Sequence, residues 1–413
     1  MNHDLIYQLE QHLCEDVLQL LHAGTEIASE QGQSLYLVGG VVRDLLLGRA
    51  NFDLDLVVEG DAIKLASLLG QREGGEVVVH PRFGTAKFRR GGLAFDLATA
   101  RAETYSRPGV LPAVHPGSIE DDLRRRDFTI NAMAINLSGD SFGKLIDPYG
   151  GESDLKLKLI RILHQRSFID DATRILRALR YEMRLGFQLE AGTEELLRRD
   201  VAMLHTMTGE RIRHELELIL AEERPEKILH RAEELGVLKE IYPTLSGDSW
   251  IMEKFEQARL GSYPSLRAIY FSLLASRFSP QEGEAFIERL KIPGAIARII
   301  RDTLSLKAGL RILETPKLPH SAIYRLLHGY SSQAIVAGAL ASDSALIRQN
   351  LELYLNKLRY VKPSLNGRAL QQMGLSPGPR LGEILHALEE ARLDQKVKSK
   401  DQEEELVRRW LSE

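Results

Sequence analysis

The stretch Ser34-Leu-Tyr-Leu-Val-Gly-Gly-Val-Val-Arg-Asp-Leu-Leu-Leu-Gly48, followed after Arg49-Ala-Asn51 by Phe52-Asp-Leu-Asp-Leu-Val-Val58, decides the fold. Ser34–Val38 reads as a short strand and Val41–Leu47 as a helix closed by Gly48, with Gly39-Gly40 as the turn between them. Phe52–Val58 alternates and ends in β-branched residues, which makes it a second strand. Alternate residues of a strand share a face, so Asp53 and Asp55 present two carboxylates side by side. Like charges held that close call for cations. Mg²⁺, a hard ion that takes carboxylate and phosphate oxygens, suits them. Gly39 and Gly40, just ahead of a helix, let backbone N–H groups approach a triphosphate at the positive helix end. An isolated Asp-x-Asp at a strand end is often a solvated turn. With Gly-Gly and Val42-Arg43-Asp44 upstream at this spacing, a site for phosphate and metal is the better reading.

Working outward, Leu5–Ala28 carries apolar residues at helical spacing. Asp61 can cap a helix that runs to Leu69 and closes at Gly70. Glu76–His80 and Thr85–Arg89 read as strands joined through Pro81-Arg-Phe-Gly84, and Leu93–Ala98 as another. From Ser167 onward nearly everything reads as helix, broken at Pro225, Pro243, Pro264, Pro280, Pro293, Pro316 and Pro319. The expected class is α+β, an N-terminal mixed sheet followed by helices. The composition agrees: aromatics are only 6% of 413 residues, 44% are hydrophobic, and the length suggests roughly two to four domains. Formal net charge is −4, so any contact with nucleic acid must come from local patches. One such stretch is Asn356–Lys400, with nine Lys/Arg against four Asp/Glu; a solvated helix face is the plainer account of it. Cys14, the single cysteine, excludes an internal disulfide framework and a cysteine zinc site, and fits a reducing compartment. Acidic residues through the first thirty positions do not suit a signal or transit peptide. No apolar run is long enough to span a bilayer. A cytoplasmic protein is expected.

Three further groups of residues carry chemistry. Asp96, on the strand after Gly91-Gly92, can supply a third carboxylate to complete a metal cage or accept a proton; otherwise it pairs with a nearby Arg. In Arg125-Arg126-Asp127-Phe-Thr-Ile-Asn131, guanidinium forks match phosphate oxygens in two-point geometry, while Asp127 and Asn131 can hold ribose hydroxyls. In Asp170-Asp171-Ala-Thr-Arg174-Ile-Leu-Arg177, Asp171 and Arg174 are three apart and would share a helical face. The plain reading is an intrahelical ion pair. The sharper one is a base-reading pair, in which the carboxylate accepts from the exocyclic amine of C or A and the arginine donates to the ring acceptors beside it. U and G would leave buried polar groups unpaired and be rejected. Asp147-Pro-Tyr-Gly-Gly151 lies where the mixed region gives way to helices and reads as a hinge.

Together these residues resemble the class II tRNA nucleotidyltransferases, within the DNA polymerase beta-like nucleotidyltransferase superfamily. The resemblance rests on Gly39-Gly40 with Val42-Arg43-Asp44, Asp53-x-Asp55, Arg125-Arg126-Asp127-x-x-x-Asn131, Asp147-Pro-x-Gly150-Gly151, Asp171-x-x-Arg174 and Glu210-Arg211. It covers about Tyr36 to Leu220 and returns more weakly at Gly367-Arg-Ala-Leu370 and Gly374–Pro379. It implies a catalytic head over 1–150, a base-selecting neck over 151–225, a helical body over 226–355 and a tRNA-binding tail over 356–413. It also implies Asp53 and Asp55 as ligands of two Mg²⁺ ions, with Asp96 beside them. Gly39, Gly40, Arg43, Arg126, Asp127, Asn131, Asp171, Arg174 and Arg177 are implied as nucleotide contacts, with ATP and CTP as substrates and tRNA as partner. Asp170 stands where the family usually has Glu. The residues after Asp55, Leu-Val-Val-Glu-Gly-Asp-Ala62, resemble a branch in which CC addition and A addition are divided between two enzymes. A poly(A) polymerase shares the head motifs, and a catalytically silent RNA-binding protein could keep the fold; both stay open at this point.

Overall fold

The computed structural model describes residues 13–49 and 54–412, together with Leu5, Tyr7 and Gln11. The helix expected from Leu5 is seen over Glu15–Glu30, its earlier part falling largely outside the described residues. Asn51, Phe52 and Asp53 also lie outside them. Contacts divide the chain into two compact units. One comprises Met1–Glu215 with Leu235–Glu240, the other Leu216–Glu234 with Ile241–Glu413.

The first unit is built on strands β1 (Ser34–Val38), β2 (Leu54–Glu59), β3 (Glu76–His80), β4 (Thr85–Arg90), β5 (Leu93–Thr99), β6 (Arg101–Thr104), β7 (Ala113–Pro116), β8 (Ala134–Asn136) and β9 (Leu145–Ile146). Seven of them form one mixed sheet in the order β3-β4-β5-β2-β1-β8-β9, and β6 with β7 make a separate antiparallel hairpin. β2 and β5 are parallel, and the other neighbours in the large sheet are antiparallel. The crossover from β2 begins with the helix Ala62–Glu73, capped as expected by Asp61, whose Oδ1 accepts from the backbone N–H groups of Ile63 and Lys64. That helix runs past the expected stop at Gly70 and ends at Gly74.

Strand alternation then sorts the two faces of the sheet. Leu54, Leu56, Val58, Phe95 and Leu97 are buried, on the face against which Glu15–Glu30 and Ala62–Glu73 pack. The other face carries Asp55, Val57 and Glu59 from β2 and Asp96 from β5. Its far end is covered by the helix Ile119–Arg124, whose Ile119 and Leu123 join Tyr36, Val38 and Val57 in one apolar cluster. Glu59 fixes this helix: Oε1 accepts from the N–H of Ile119 (2.6 Å) and Oε2 from the hydroxyl of Tyr36 (3.0 Å). The end of the face bearing Asp55 and Asp96 stays uncovered by that helix, and the next residues after it are Arg125-Arg126-Asp127.

The rest of this unit is mostly helical, with a two-stranded parallel pair of β10 (Leu159–Ile160) and β11 (Gln188–Leu189). The stretch read as a hinge has fixed contacts. Asp147 accepts from the N–H groups of Gly151 and Glu152 at the start of the helix Gly151–Leu157. A β-carbon on Gly151 would run into the carbonyl of Thr129. Asp154 on the same helix, 4% exposed, accepts from Thr129 Oγ1 (2.6 Å) and Arg161 Nε (3.0 Å). Glycine and aspartate thus pin the segment that carries Asn131.

The second unit is helical throughout its described residues. It holds one apolar cluster around Leu306, Leu327, Ile335, Leu351 and Leu393, and a separate one around Leu365, Leu370, Leu388 and Val407. The prolines read as breaks fall at the junctions between helices, and four of them stand at helix starts: Pro225 and Pro280 open helices, and Pro293 and Pro319 directly precede them. Proline has no N–H to lose in a first turn and its φ suits a helix start.

Candidate active site

β2 and β5 place Asp55 and Asp96 as register partners. Adjacent strands lie about 4.8 Å apart, so the two carboxylates are neighbours on the open face. Asp53, the remaining carboxylate of the pair, lies outside the described residues. Among those described, no three Asp, Glu, His or Cys side chains gather as a metal site. Asp55 and Asp96 nonetheless offer the hard oxygen donors that Mg²⁺ takes, so the donor chemistry fits. The partner of Asp96 is Lys87 (Nζ–Oδ2 2.9 Å), where the sequence suggested an arginine.

Asp55 borders a cavity of about 1020 Å³. Gly39, Gly40, Arg43, Arg126, Asp127, Asn131, Asp171, Arg174 and Arg177 all line it, so every residue expected to contact a nucleotide shares one space. Nine arginines against seven carboxylates line the cavity. Arginine is thus gathered here although the chain as a whole is acidic.

The glycine turn meets the cavity at the start of the helix Gly40–Leu46, which no described side chain caps. Gly39 has φ +75° and ψ −128°, a conformation for glycine alone. It also leaves room for Arg126, whose Nη1 lies 2.6 Å from the point a β-carbon would occupy. Arg125 and Arg126 are aimed by one fully buried carboxylate. Asp122 Oδ1 accepts from Arg125 Nη2 (2.6 Å) and Oδ2 from Arg126 Nη2 (2.9 Å). Asp122 was not singled out in the sequence, although its spacing of three and four residues from the two arginines was a visible signal.

A chain of polar contacts ties the two ends of the constellation together. Arg43 Nη1 donates to Asn131 Oδ1 (2.7 Å), and Asn131 Nδ2 donates to Asp127 Oδ1 (3.0 Å). Arg177 donates through Nε (2.9 Å) and Nη2 (2.6 Å) to Asp127 Oδ2. Burial alone would raise the carboxyl of Asp127, but Arg177 and Asn131 hold it below its ordinary value; Asp127 in turn raises Arg177. With the N–H of Phe128 also on Oδ1, the roughly four acceptor positions of Asp127 are taken. Asp127, expected to hold a ribose hydroxyl, here holds Asn131 and Arg177. Tyr181, unremarked in the sequence, lies beneath the guanidinium groups of Arg43, Arg177 and Arg180 at 5.3–5.7 Å.

Asp171 and Arg174 line the same cavity but do not share a helical face. A short helix, Ser167–Asp170, ends at Asp171, which is extended (φ −143°, ψ 99°), and the next begins at Thr173. The cause is local. Asp171 Oδ1 accepts from Thr173 N (3.0 Å) and Oγ1 (2.7 Å), an alternative to the helical backbone bond. Oδ2 accepts from Arg211 Nη2 (2.8 Å), so three of about four acceptor positions are filled and one is left. Arg174, 5% exposed, is anchored by donating Nη2 to the carbonyl of Arg125 (2.7 Å).

Residues 35–161 match the family described as "Poly A polymerase head domain", and 186–248 the family described as "Probable RNA and SrmB-binding site of polymerase A". An A-adding tRNA nucleotidyltransferase of Halalkalibacterium halodurans is 34% identical over 94% of this chain and 91% of its own length. The chain belongs to the class II tRNA nucleotidyltransferases. The family's longer members include an A-adding tRNA nucleotidyltransferase of Geobacter sulfurreducens, 35% identical over 97% of this chain but only 48% of its own length. The chain thus spans about half the length of some curated class II relatives. Among solved structures of the class, the Thermotoga maritima CCA-adding enzyme complexed with tRNA matches with a TM-score of 0.81 and 33% identity over 98% of both chains. Among the described residues, no helix is long and apolar enough to cross a membrane.

Proposed function

We propose that this chain adds C and/or A, without a template, to the 3′ end of tRNA, using CTP and ATP and releasing pyrophosphate. The observation that carries the reading is the meeting of two features in one cavity: the strand carboxylate Asp55, with Asp96 as its neighbour in register, and the pair Asp171 and Arg174. The bond formed joins the tRNA 3′ oxygen to the α-phosphorus, and the bond broken frees pyrophosphate.

Arg126, held by Asp122 over Gly39, grips the triphosphate, and the first-turn N–H groups after Gly39 assist it. Arg43, Asn131, Asp127 and Arg177 form the frame that keeps this wall rigid. The single acceptor position left on Asp171 takes one N–H of the exocyclic amine of C or A, and Arg174 donates beside it. Arg211 holds Asp171 in that orientation. Asp53 and Asp55 would hold Mg²⁺, with Asp96 alongside; when bound, the ion supplies charge neutralisation and a more acidic attacking hydroxyl. The protein contributes orientation and a fixed positive field, the main sources of rate in phosphoryl chemistry.

Within this reading, 1–150 serves as head, 151–225 as neck, 226–355 as body and 356–413 as tail. The basic stretch Asn356–Lys400 follows tRNA phosphates by shape and charge. Such a protein works in the cytoplasm.

Three tRNA transcripts test the proposal, ending at the discriminator base, at C and at CC, each with Mg²⁺ and labelled CTP or ATP, singly and together. Addition of C, A or both to at least one transcript is the expected result, and product lengths assign CCA, CC or A addition. Unlimited A addition to any RNA would make the protein a poly(A) polymerase. No incorporation with any RNA would sink the proposal.

A further inference from the structure

We propose that Lys87 receives the phosphodiester nearest the 3′ hydroxyl of the RNA that is extended. The inference rests on the nucleotidyl-transfer reading above and assigns to it a residue on the acceptor side.

Three adjacent strands place three charged side chains in a row. Lys87 on β4 is the register partner of Asp96 on β5, and Asp96 is the register partner of Asp55 on β2. Register partners point to the same face, so Lys87, Asp96 and Asp55 lie side by side on the open face. A second cavity, of about 520 Å³, contains all three. It shares Asp55, Arg125 and Arg126 with the larger cavity, whereas Lys87 and Asp96 line the smaller one alone and Asp171 and Arg174 line the larger one alone.

Asp55 therefore stands where two spaces meet. The larger has the base-reading pair and the arginine-rich wall that suit a nucleoside triphosphate. Transfer needs a second reactant next to the same carboxylate, and the smaller space, which also borders Asp55, can take it. An RNA strand entering there brings one phosphate per nucleotide, and needs a cation. Arg125 and Arg126 border both spaces and are held in place by the buried Asp122, and in the reading above Arg126 serves the triphosphate. Among the described residues Lys87 is bound only to Asp96, and the two side chains are 33% and 44% exposed. An ion pair that open contributes little to folding. Lysine is also a compact charge on a flexible four-carbon stem. It can stay near Asp96 and reach a phosphate, so that the acceptor end is drawn beside Asp96 and Asp55.

The test compares the wild type with Lys87→Met, which keeps the stem, and Lys87→Arg, which keeps the charge. Steady-state addition is measured with tRNA and ATP or CTP varied in turn. Equilibrium binding of tRNA is measured across a salt series, and circular dichroism checks the fold. For Lys87→Met we expect KM and Kd for tRNA to rise about tenfold, KM for the nucleotide to stay within about twofold, and the salt slope of tRNA binding to fall by about 0.7–1. Lys87→Arg should recover most of the loss. A fall in kcat with both KM values unchanged would assign Lys87 to orienting Asp96 and overturn the proposal. So would a rise confined to the nucleotide KM. If the wild type itself extends no tRNA, the function reading has failed. The binding arm then decides Lys87 by itself, and unchanged affinity and salt slope reject its role.

Discussion

Arg126 lies directly over Gly39, its Nη1 2.6 Å from where a β-carbon would stand. The glycine and the arginine are 87 positions apart, and each depends on the other: the turn can be tight because it has no side chain, and the guanidinium can reach the cavity because the turn leaves it room. Gly39→Ala should have two separable effects. The positive φ, unsuited to alanine, should cost about 2 kcal/mol of stability, seen as a lower midpoint in urea. Displacement of Arg126 should raise KM for ATP or CTP well beyond that for tRNA. Equal rises in the two KM values would show that Arg126 does not grip the nucleotide.

Asp122 holds two cations with one fully buried carboxylate. Removing one member of such a buried ionic group costs about 3 kcal/mol or more. Asp122→Ala should therefore lower stability by that order and weaken nucleotide binding through both arginines at once. The double variant Asp122→Ala with Arg126→Ala should lose much less nucleotide affinity than the two single losses added together. Strict additivity in that cycle would argue that Asp122 supports the fold and nothing more.

Arg174→Ala should relax the choice of base. Arg174 is anchored on the carbonyl of Arg125, away from the expected catalytic carboxylates, so turnover with the favoured nucleotide should fall less than discrimination does. The measurement is kcat/KM for ATP and CTP against UTP and GTP. A site that hydrogen-bonds its substrate can reject one that leaves it unpaired by orders of magnitude, and the variant should lose at least about tenfold of that ratio. Unchanged ratios would remove Arg174, and with it the pairing with Asp171, from base selection.

Asp127 predicts an acid dependence. Burial by itself would raise its carboxyl; Arg177 and Asn131 outweigh that and lower it in the folded state. A carboxyl lowered by folding stabilises the protein above its unfolded value, about 3.9, and that stability is lost as pH falls through the folded value. Unfolding free energy should therefore decline as pH drops below about 4, and Asp127→Asn should flatten that decline while lowering stability at neutral pH. The two proteins are compared by urea unfolding at pH 7 and across the acid range. Parallel acid slopes would assign the acid sensitivity to other groups.

Much of the site could be read before the fold was known, because it is written in local pattern. Strand alternation put Asp55 and Asp96 on strands, Asp61 announced its cap, and Gly39-Gly40 announced the turn that borders the cavity. What could not be read depended on how side chains spend their hydrogen bonds. Asp127 has its acceptor positions filled by Arg177, Asn131 and the N–H of Phe128, a matter of contacts made across 50 residues of sequence. Asp171 breaks the helix that spacing predicted, because its own side chain bonds to Thr173. Lys87 carries no sequence signal at all, since only the pairing of β4 with β5 brings it to Asp96.

The pairing of β2 with β5 reduces the placement of the chemistry to a question of odd and even. In β2 the odd-numbered residues 55, 57 and 59 share the face of Asp55, and in β5 the even-numbered residues 96 and 98 share it. A one-residue slip of either strand in this register, not absorbed by a bulge, would turn its carboxylate toward the packed apolar side. Register thus decides the chemistry of this face as much as residue type does.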